Sequence, residues 1–178
     1  MNLQINLSTE EIKLIEILFY NDIKKDKIFD KLNFDKLIKI ASNHLMLPAL
    51  YVNFKQNVNF KKTPIEFQKY LREIYLLNRE RNLILIEEVK TLSKILNSKK
   101  INYAFLKGSS LIYGNHFEDI GERMVGDIDL LVDYEQKEIT IDLLKEKLFF
   151  SKYDYKFWDA NVYPNFINKN KIFAIDLH

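Results

Sequence analysis

The spacing of the apolar positions changes near residue 100 of this chain. Upstream they recur every three or four residues, as on the buried side of an α-helix. Downstream they fall into short runs that are rich in β-branched and aromatic residues. The pattern therefore predicts helices over residues 1–100 and a mixture of strands and helices over residues 101–178.

Polar residues mark where the upstream helices begin. Ser8-Thr9-Glu10-Glu11 is a capping box, in which the Ser8 hydroxyl and the Glu11 carboxylate each satisfy a backbone N–H. The first helix is expected to bury a stripe formed by Ile12, Ile15, Leu18 and Phe19.

Two more helices are predicted upstream of residue 100. One covers residues 34 to about 43, ahead of Pro48. The other begins at Thr63-Pro64, because proline is tolerated at the first helical position, and no breaker follows until Asn97-Ser98. This pattern indicates one long helix or two nearly collinear ones.

The downstream part alternates between strands and helices. Strands are predicted over residues 101–106 and 126–132, with helices over residues 109–116 and 135–149. Residues 155–166 and 171–177 are expected to complete a small mixed sheet. The predicted fold class is α+β, with a helical region over residues 1–100 and a second region over residues 101–178.

Composition narrows the class of protein. The chain has 178 residues, 47% of them hydrophobic, which is enough to bury a core. Its net charge of +2 gives no general attraction to nucleic acid. It has no cysteine, which excludes disulfides and sulfur-ligated zinc and fits a cytoplasmic location. The longest uncharged apolar run, residues 45–52, is too short to cross a membrane.

All four glycines of the chain lie between Gly108 and Gly126. Glycine permits close backbone approach and a positive φ, so this segment is expected to need one or both. The same segment ends in the run Gly126-Asp127-Ile128-Asp129-Leu130, which carries paired carboxylates.

Asp127 and Asp129 are expected to share one face of a strand, because side chains two residues apart point the same way. Two neighbouring carboxylates repel each other unless a cation neutralises them. Oxygen ligands without cysteine favour Mg²⁺ or Mn²⁺ over zinc. The pair therefore predicts a divalent metal site.

An anion site is predicted beside this metal site. In the turn Lys107-Gly108-Ser109-Ser110, Gly108 lets the backbone approach, the next helix offers N–H donors, and Ser109 can add a hydroxyl. Together the turn and the acids suit a nucleoside triphosphate with its metal. Arg123 could also reach the triphosphate, although an ion pair with Glu122 or Glu118 explains it equally well.

A third carboxylate is expected for a second metal and for activation of an incoming hydroxyl. Asp176 is our candidate, since a lone acid in the apolar run 173–177 is hard to explain as core. His178 shares its face if the strand is regular, and it either approaches the metal or belongs to a frayed end. Weaker candidates for the third acid are Asp133, Asp154 and Asp159.

These residues resemble the uncharacterised nucleotidyltransferase family within the DNA polymerase beta-like superfamily. The resemblance implies that residues 101–178 form a minimal polymerase-beta-like core with a small mixed sheet, on which the helical region packs. It is carried by residues 106–110, Tyr113, Gly121, Arg123, residues 126–132 and residues 175–178, and more loosely by residues 41–51 with His44 and Pro48.

The resemblance also implies an activity. It is the metal-dependent transfer of a nucleoside monophosphate from an NTP, expected to be ATP, to an acceptor hydroxyl, with release of pyrophosphate. Gly108 and Ser109 would hold the triphosphate, Asp127 and Asp129 would coordinate Mg²⁺ or Mn²⁺, and Asp176 would orient the acceptor. A protein side chain, a small molecule and an RNA end all remain open as acceptors.

Two departures from the family pattern leave other interpretations open. The interval from Gly108 to Asp127 is longer than in the most compact members of the superfamily, although it is similar to that of this family. The sequence also stops two residues after Asp176, where relatives usually continue. We expect a truncated form, a separate domain, or a chain completed by a protein partner. A regulatory or antitoxin-like module that binds NTP and metal with little turnover is the main rival, and a purely structural helical adaptor is another.

Overall fold

The computed structural model describes residues 6–19, 32–55, 60–147, 149–151 and 165–178. This part of the chain is α+β, as predicted, and is mainly helical. The helices are α1 (Thr9–Phe19), α2 (Phe34–Asn43), α3 (Leu47–Phe54), α4 (Ile65–Ser98), α5 (Lys107–Tyr113) and α6 (Lys137–Glu146), and the strands are β1 (Tyr103–Leu106), β2 (Asp127–Val132), β3 (Phe150–Ser151), β4 (Asn165–Ile167) and β5 (Ala174–Leu177).

Contacts divide the chain into two compact units. One comprises Met1–Glu80 and Gly121–Met124, and the other comprises Arg81–Ile120 and Val125–His178. The division falls within α4, so this helix supplies side chains to both cores. The change of pattern predicted at residue 100 coincides instead with the end of α4.

The first unit is helical and begins with the predicted capping box. The Ser8 N–H donates to the Glu11 carboxylate at 2.7 Å, and the Glu11 N–H donates to the Ser8 hydroxyl at 3.4 Å. Asn33 caps α2 by accepting from the Lys36 N–H, and α2 has the predicted bounds. The core of the first unit includes Leu14, Leu37, Ala41, Leu50, Phe54, Phe67 and Leu71.

The buried side of α1 differs from the predicted stripe. Leu14 is buried and Leu18 partly buried, whereas Ile12, Ile15 and Phe19 are exposed. Apolar residues occur on almost every face of α1, so spacing alone does not identify the face that packs. The salt bridge of 2.7 Å between Glu10 and Lys36 of α2 lies on the packed face with Leu14.

The second unit contains a mixed sheet. Its strand order within the described residues is β1-β2-β5-β4-β3. β2 pairs antiparallel with β1 and parallel with β5, while β4 pairs antiparallel with β5 and with β3. Residues 152–164, which make up most of the strand predicted over 155–166, lie outside the described residues.

The second half of α4 covers this sheet. Its buried residues cluster with the apolar residues that alternate along β2 and β5. Of the two predicted alternatives, one long helix or two nearly collinear ones, the structure shows the first, since α4 runs unbroken for 34 residues. The cluster includes Leu85, Val89, Leu92, Leu96, Ile128, Leu130, Ile175 and Leu177.

The shorter elements begin a few residues away from their predicted boundaries. β1 starts at Tyr103 rather than at residue 101, and α5 begins at Lys107, two residues before its predicted start. A short 3-10 turn at Tyr134–Gln136 precedes α6. Among the described helices, none combines the length and apolar character that crossing a bilayer requires.

Candidate active site

The acidic face of the sheet arises from simple alternation along β2. Ile128 and Leu130 are buried in the core, so Asp127 and Asp129 point to the opposite face. The same alternation operates in β5, where Ile175 and Leu177 are buried on either side of Asp176.

The parallel register of β2 and β5 brings the third acid to this face. Asp129 is paired directly with Asp176, and Asp127 with Ala174. Neighbouring strands are about 4.8 Å apart, so directly paired residues of a parallel pair place their side chains next to each other on one face. The structure thus brings together Asp127, Asp129 and Asp176, which are distant along the sequence.

The three carboxylates repel one another. The pKa of Asp127 is raised, first because partial burial removes water from the carboxylate and then because Asp129 and Asp176 are negative. A hydrogen bond with Asp176, which favours the protonated form of Asp127, raises it further. Lys107 partly offsets these effects. The face therefore carries more negative charge than its own lysine neutralises.

Asp129 is the most enclosed of the three, with a side chain that is only 3% exposed. Its Oδ1 atom lies 2.5 Å from the Lys107 ammonium and 2.9 Å from Nε2 of His178. The hydrogen bond to Asp129 raises the pKa of Lys107 and holds it in the charged form. Asp176 accepts a hydrogen bond from the side-chain amide of Asn165, its partner on β4.

The backbone turn at the start of α5 has a positive φ at Lys107, of 50°, and not at a glycine. No described glycine has a positive φ, so that part of the expectation for the glycine segment is wrong. Close approach is what Gly108 provides, because a Cβ atom there would lie 3.1 Å from a methyl group of Val125. The strained residue is the lysine whose ammonium reaches Asp129.

The hydroxyls of the two serines of this turn both donate to backbone carbonyls of the same segment. Ser109 is fully buried and donates to the Leu106 carbonyl at 2.8 Å, and Ser110 donates to the Lys107 carbonyl at 3.0 Å. These bonds hold the turn in shape. The groups that such a turn can offer to an anion are then chiefly the backbone N–H groups of the first helical turn and the Lys107 ammonium.

Two of the remaining candidates, Arg123 and Asp133, have contacts of their own in the structure. Arg123 belongs to the first unit, where its side chain is exposed and its carbonyl accepts from the Asn78 amide at 3.0 Å, so its role in binding triphosphate remains a prediction. Asp133 follows the far end of β2 and bonds to Asn102 at 2.8 Å. Asp154 and Asp159 lie outside the described residues.

Sequence reasoning missed two residues that support the acidic face, Asn165 and Arg81. Arg81 donates to the Gly126 carbonyl at 3.4 Å and stacks on the ring of Phe173 at 4.8 Å, so it contacts the segments that lead into β2 and β5. Nothing in the sequence distinguished Arg81, because Arg72 and Arg79 lie near it along the same helix. Asn165 offered none, because its pairing with Asp176 depends on strand register.

The residue types at this face fit a hard divalent cation. Three carboxylates that one lysine neutralises only in part are the kind of oxygen donor set that Mg²⁺ and Mn²⁺ take in proteins. In the described part of the chain, however, no three acidic or histidine side chains already surround a common point as metal ligands. Lys107 and Asn165 occupy carboxylate oxygens of Asp129 and Asp176 in this arrangement.

Comparison of the chain with known proteins gives one match, to a protein family. The sequence model of a family described as an uncharacterised nucleotidyltransferase matches residues 30–178, which include all the residues of the acidic face and of the first turn of α5. No curated protein and no solved structure matches the chain.

Proposed function

The chain belongs to this uncharacterised nucleotidyltransferase family, and from that premise we propose that it transfers a nucleoside monophosphate from an NTP to an acceptor hydroxyl and releases pyrophosphate. The observation that carries the proposal is the register of β2 and β5, which sets Asp176 beside Asp129 on the face that also holds Asp127. An acidic face of this kind suits a reaction whose catalysis is positioning and neutralisation of charge.

Asp127, Asp129 and Asp176 would hold Mg²⁺ or Mn²⁺. When bound, the ion supplies charge neutralisation for the phosphate oxygens and lowers the pKa of a coordinated hydroxyl. The three carboxylates supply the negative charge that retains it.

The first turn of α5, residues 107–110, would bind the triphosphate. Gly108 allows its backbone to approach, and the hydroxyls of Ser109 and Ser110 keep the turn rigid through their bonds to backbone carbonyls. Lys107 has an exposed ammonium on a flexible stem, so it can exchange Asp129 for a phosphate oxygen. Arg123 is proposed to contribute a second cation to the triphosphate.

The proposed group transfer is a displacement at the α-phosphorus of the NTP. The acceptor oxygen bonds to the α-phosphorus of the NTP as the bond from that phosphorus to the bridging oxygen breaks, and pyrophosphate leaves with the bond's electrons. Asp176 orients the acceptor hydroxyl and takes its proton. We propose ATP as the NTP, and a protein side chain, a small molecule or an RNA end as the acceptor.

The test follows label from each α-labelled NTP, with Mn²⁺ or Mg²⁺ and cell extract as the source of acceptor, together with pyrophosphate release. We expect transfer by the wild type and a loss of at least about 100-fold in Asp127→Asn and in Asp176→Asn. Asp133→Asn is the matched control, since Asp133 follows the opposite end of β2 and its carboxylate accepts from the exposed side chain of Asn102 at 2.8 Å.

The alternative outcome is informative as well. Tight binding of NTP and metal without label transfer or pyrophosphate release would contradict the proposed transferase and favour a module that needs a partner. Equal transfer by the wild type and Asp176→Asn would show that the acidic face is not the site.

A further inference from the structure

His178 is held by the sheet and is not frayed. Its N–H donates to the Leu130 carbonyl at 2.7 Å, and its own carbonyl accepts from the Val132 N–H at 3.1 Å. Both bonds continue the parallel ladder between β2 and β5. The residue therefore has a fixed register, two positions after Asp176 and on the same face.

The imidazole of His178 reaches across to β2. Its Nε2 atom is 2.9 Å from Oδ1 of Asp129, whose side chain is almost completely buried. An ionised carboxylate only accepts hydrogen bonds, so Nε2 carries the proton in this contact. A buried carboxylate needs such donors, because an unsatisfied buried charge is strongly unfavourable.

Lys107, the other donor to Oδ1 of Asp129, is held less firmly than His178. Lys107 has a side chain that is 65% exposed, and its backbone adopts a strained φ of 50°. If its ammonium moves to a triphosphate, Asp129 loses that hydrogen bond. The backbone of His178 is fixed by two hydrogen bonds to β2, so its imidazole can keep Asp129 oriented during this exchange.

We propose that His178 is a positioning residue for Asp129, holding one carboxylate oxygen through Nε2–H so that the carboxylate keeps its orientation toward a bound divalent cation. This inference rests on the proposed function for the identity of the site. It assigns to His178 a role through Asp129 and not a contact with the reacting atoms.

The first test uses Mn²⁺ binding, measured by electron paramagnetic resonance in the absence of NTP. His178→Gln keeps an N–H donor at nearly the distance of Nε2, whereas His178→Asn and His178→Ala do not. We expect the Asn and Ala variants to lose about 10- to 100-fold in Mn²⁺ affinity, and the Gln variant to stay within about threefold of the wild type. Circular dichroism checks that each variant is folded.

Two outcomes would overturn the inference. Wild-type Mn²⁺ affinity in His178→Ala would show that Asp129 needs no such donor. An equal loss in all three variants would show that the imidazole itself is required, as it would be if His178 ligated the metal directly.

A second test does not depend on any alanine variant folding. In metal-free wild-type protein, nitrogen chemical shifts of the imidazoles should show His178 protonated at Nε2, with the signal identified among the three histidines of the chain by its absence in His178→Gln. A shift typical of the Nδ1–H tautomer would contradict the inference.

These readouts separate the two proposals. If the wild type binds Mn²⁺ with the expected variant pattern but transfers no label, the proposed function fails and the role of His178 stands. If the wild type transfers label and His178→Ala binds Mn²⁺ normally, the proposed function stands and the role of His178 fails.

Discussion

At the scale of single residues, Asp129 and Asp127 meet opposite environments on the same strand. Asp129 is enclosed and bonded to two cationic or polar donors. Asp127 is half-exposed, and burial together with its acidic neighbours raises its pKa. The surroundings of Asp129 therefore stabilise its ionised carboxylate without metal, whereas those of Asp127 destabilise its ionised carboxylate.

Replacing Asp127 by asparagine should stabilise the metal-free protein. A raised pKa means that the folded state binds the proton more tightly than the unfolded state, so the stability linked to Asp127 is present at low pH and is lost as pH rises through the folded pKa. We expect the melting temperature of Asp127→Asn to exceed that of the wild type by about 1–3 °C at pH 8, and the gain to shrink toward pH 4.

Melting curves recorded in EDTA between pH 4 and pH 8 measure this difference. Asp133→Asn is the control and should show no comparable gain, since Asp133 bonds to Asn102 away from the acidic face. A gain in Asp127→Asn that is independent of pH would contradict the explanation by charge.

The positive φ of Lys107 gives a second prediction at this scale. Both Lys107→Gly and Lys107→Ala lose the ion pair to Asp129, but only glycine adopts a φ of 50° without a steric cost. The glycine variant should therefore melt about 2–5 °C above the alanine variant. Equal melting temperatures, measured side by side in EDTA, would show that this backbone conformation is not retained.

Single residues also show what the sequence could predict. The Asp-x-Asp spacing was sufficient to place Asp127 and Asp129 on one face, because alternation is a local property of a strand. The positive φ at Lys107 was not predictable from composition, since a glycine stands next to it and lysine rarely takes that conformation. His178 had two open interpretations, which only strand pairing could separate.

At the scale of elements, helix starts were more predictable than helix faces. The Ser8 and Glu11 capping box and the start of α2 are local signals, and both occur as predicted. The buried side of α1 depends on what packs against it, and there the expected positions Ile12 and Ile15 are exposed. Local chemistry fixes where a helix begins, whereas packing decides how it is rotated.

The loop before β2 gives a prediction about close packing. A Cβ atom on Gly121 would lie 2.5 Å from the Tyr75 ring and 2.9 Å from Cβ of Arg79, both on α4. Gly126 in the same loop has nothing within 4 Å of that position. Gly121→Ala should therefore lower the free energy of unfolding by about 1–3 kcal/mol, and Gly126→Ala should change it by less than about 0.5 kcal/mol.

Urea denaturation of the two variants beside the wild type makes this comparison. Equal stability of both would mean that Tyr75 moves aside at little cost, so that Gly121 is not required for packing. A larger loss in Gly126→Ala than in Gly121→Ala would contradict the packing described for this loop.

At the scale of the whole molecule, the fold class and the mixed sheet followed from the change of apolar spacing near residue 100. The strand order did not, because the pairing of β2 with β5 joins segments that are far apart along the chain. No local pattern specifies which strand lies next to which. The convergence of Asp176 with Asp129 was therefore a hypothesis from sequence and became a geometric fact only with the register.

Ligand binding should appear as added stability of the whole protein. At about 100 times its dissociation constant, a ligand that binds only the folded state adds about 2.7 kcal/mol. For a chain of this size that raises the melting temperature by about 5–10 °C. We expect this rise with Mn²⁺ and a non-hydrolysable ATP analogue, its loss in Asp176→Asn, and its retention in Asp133→Asn. No rise in the wild type would contradict the proposed site.

The direct pairing of Asp129 with Asp176 also has a kinetic consequence. Strand contacts between distant segments form late when a chain refolds. Closing the long loop between them costs conformational entropy, and the favourable energy of the contact comes only after the loop has closed. A refolding intermediate with all its helices but an undocked β5 would have only two of the three acids in place. The recovery of Mn²⁺ binding after dilution from denaturant should therefore lag behind the recovery of helical signal and report the last step of folding.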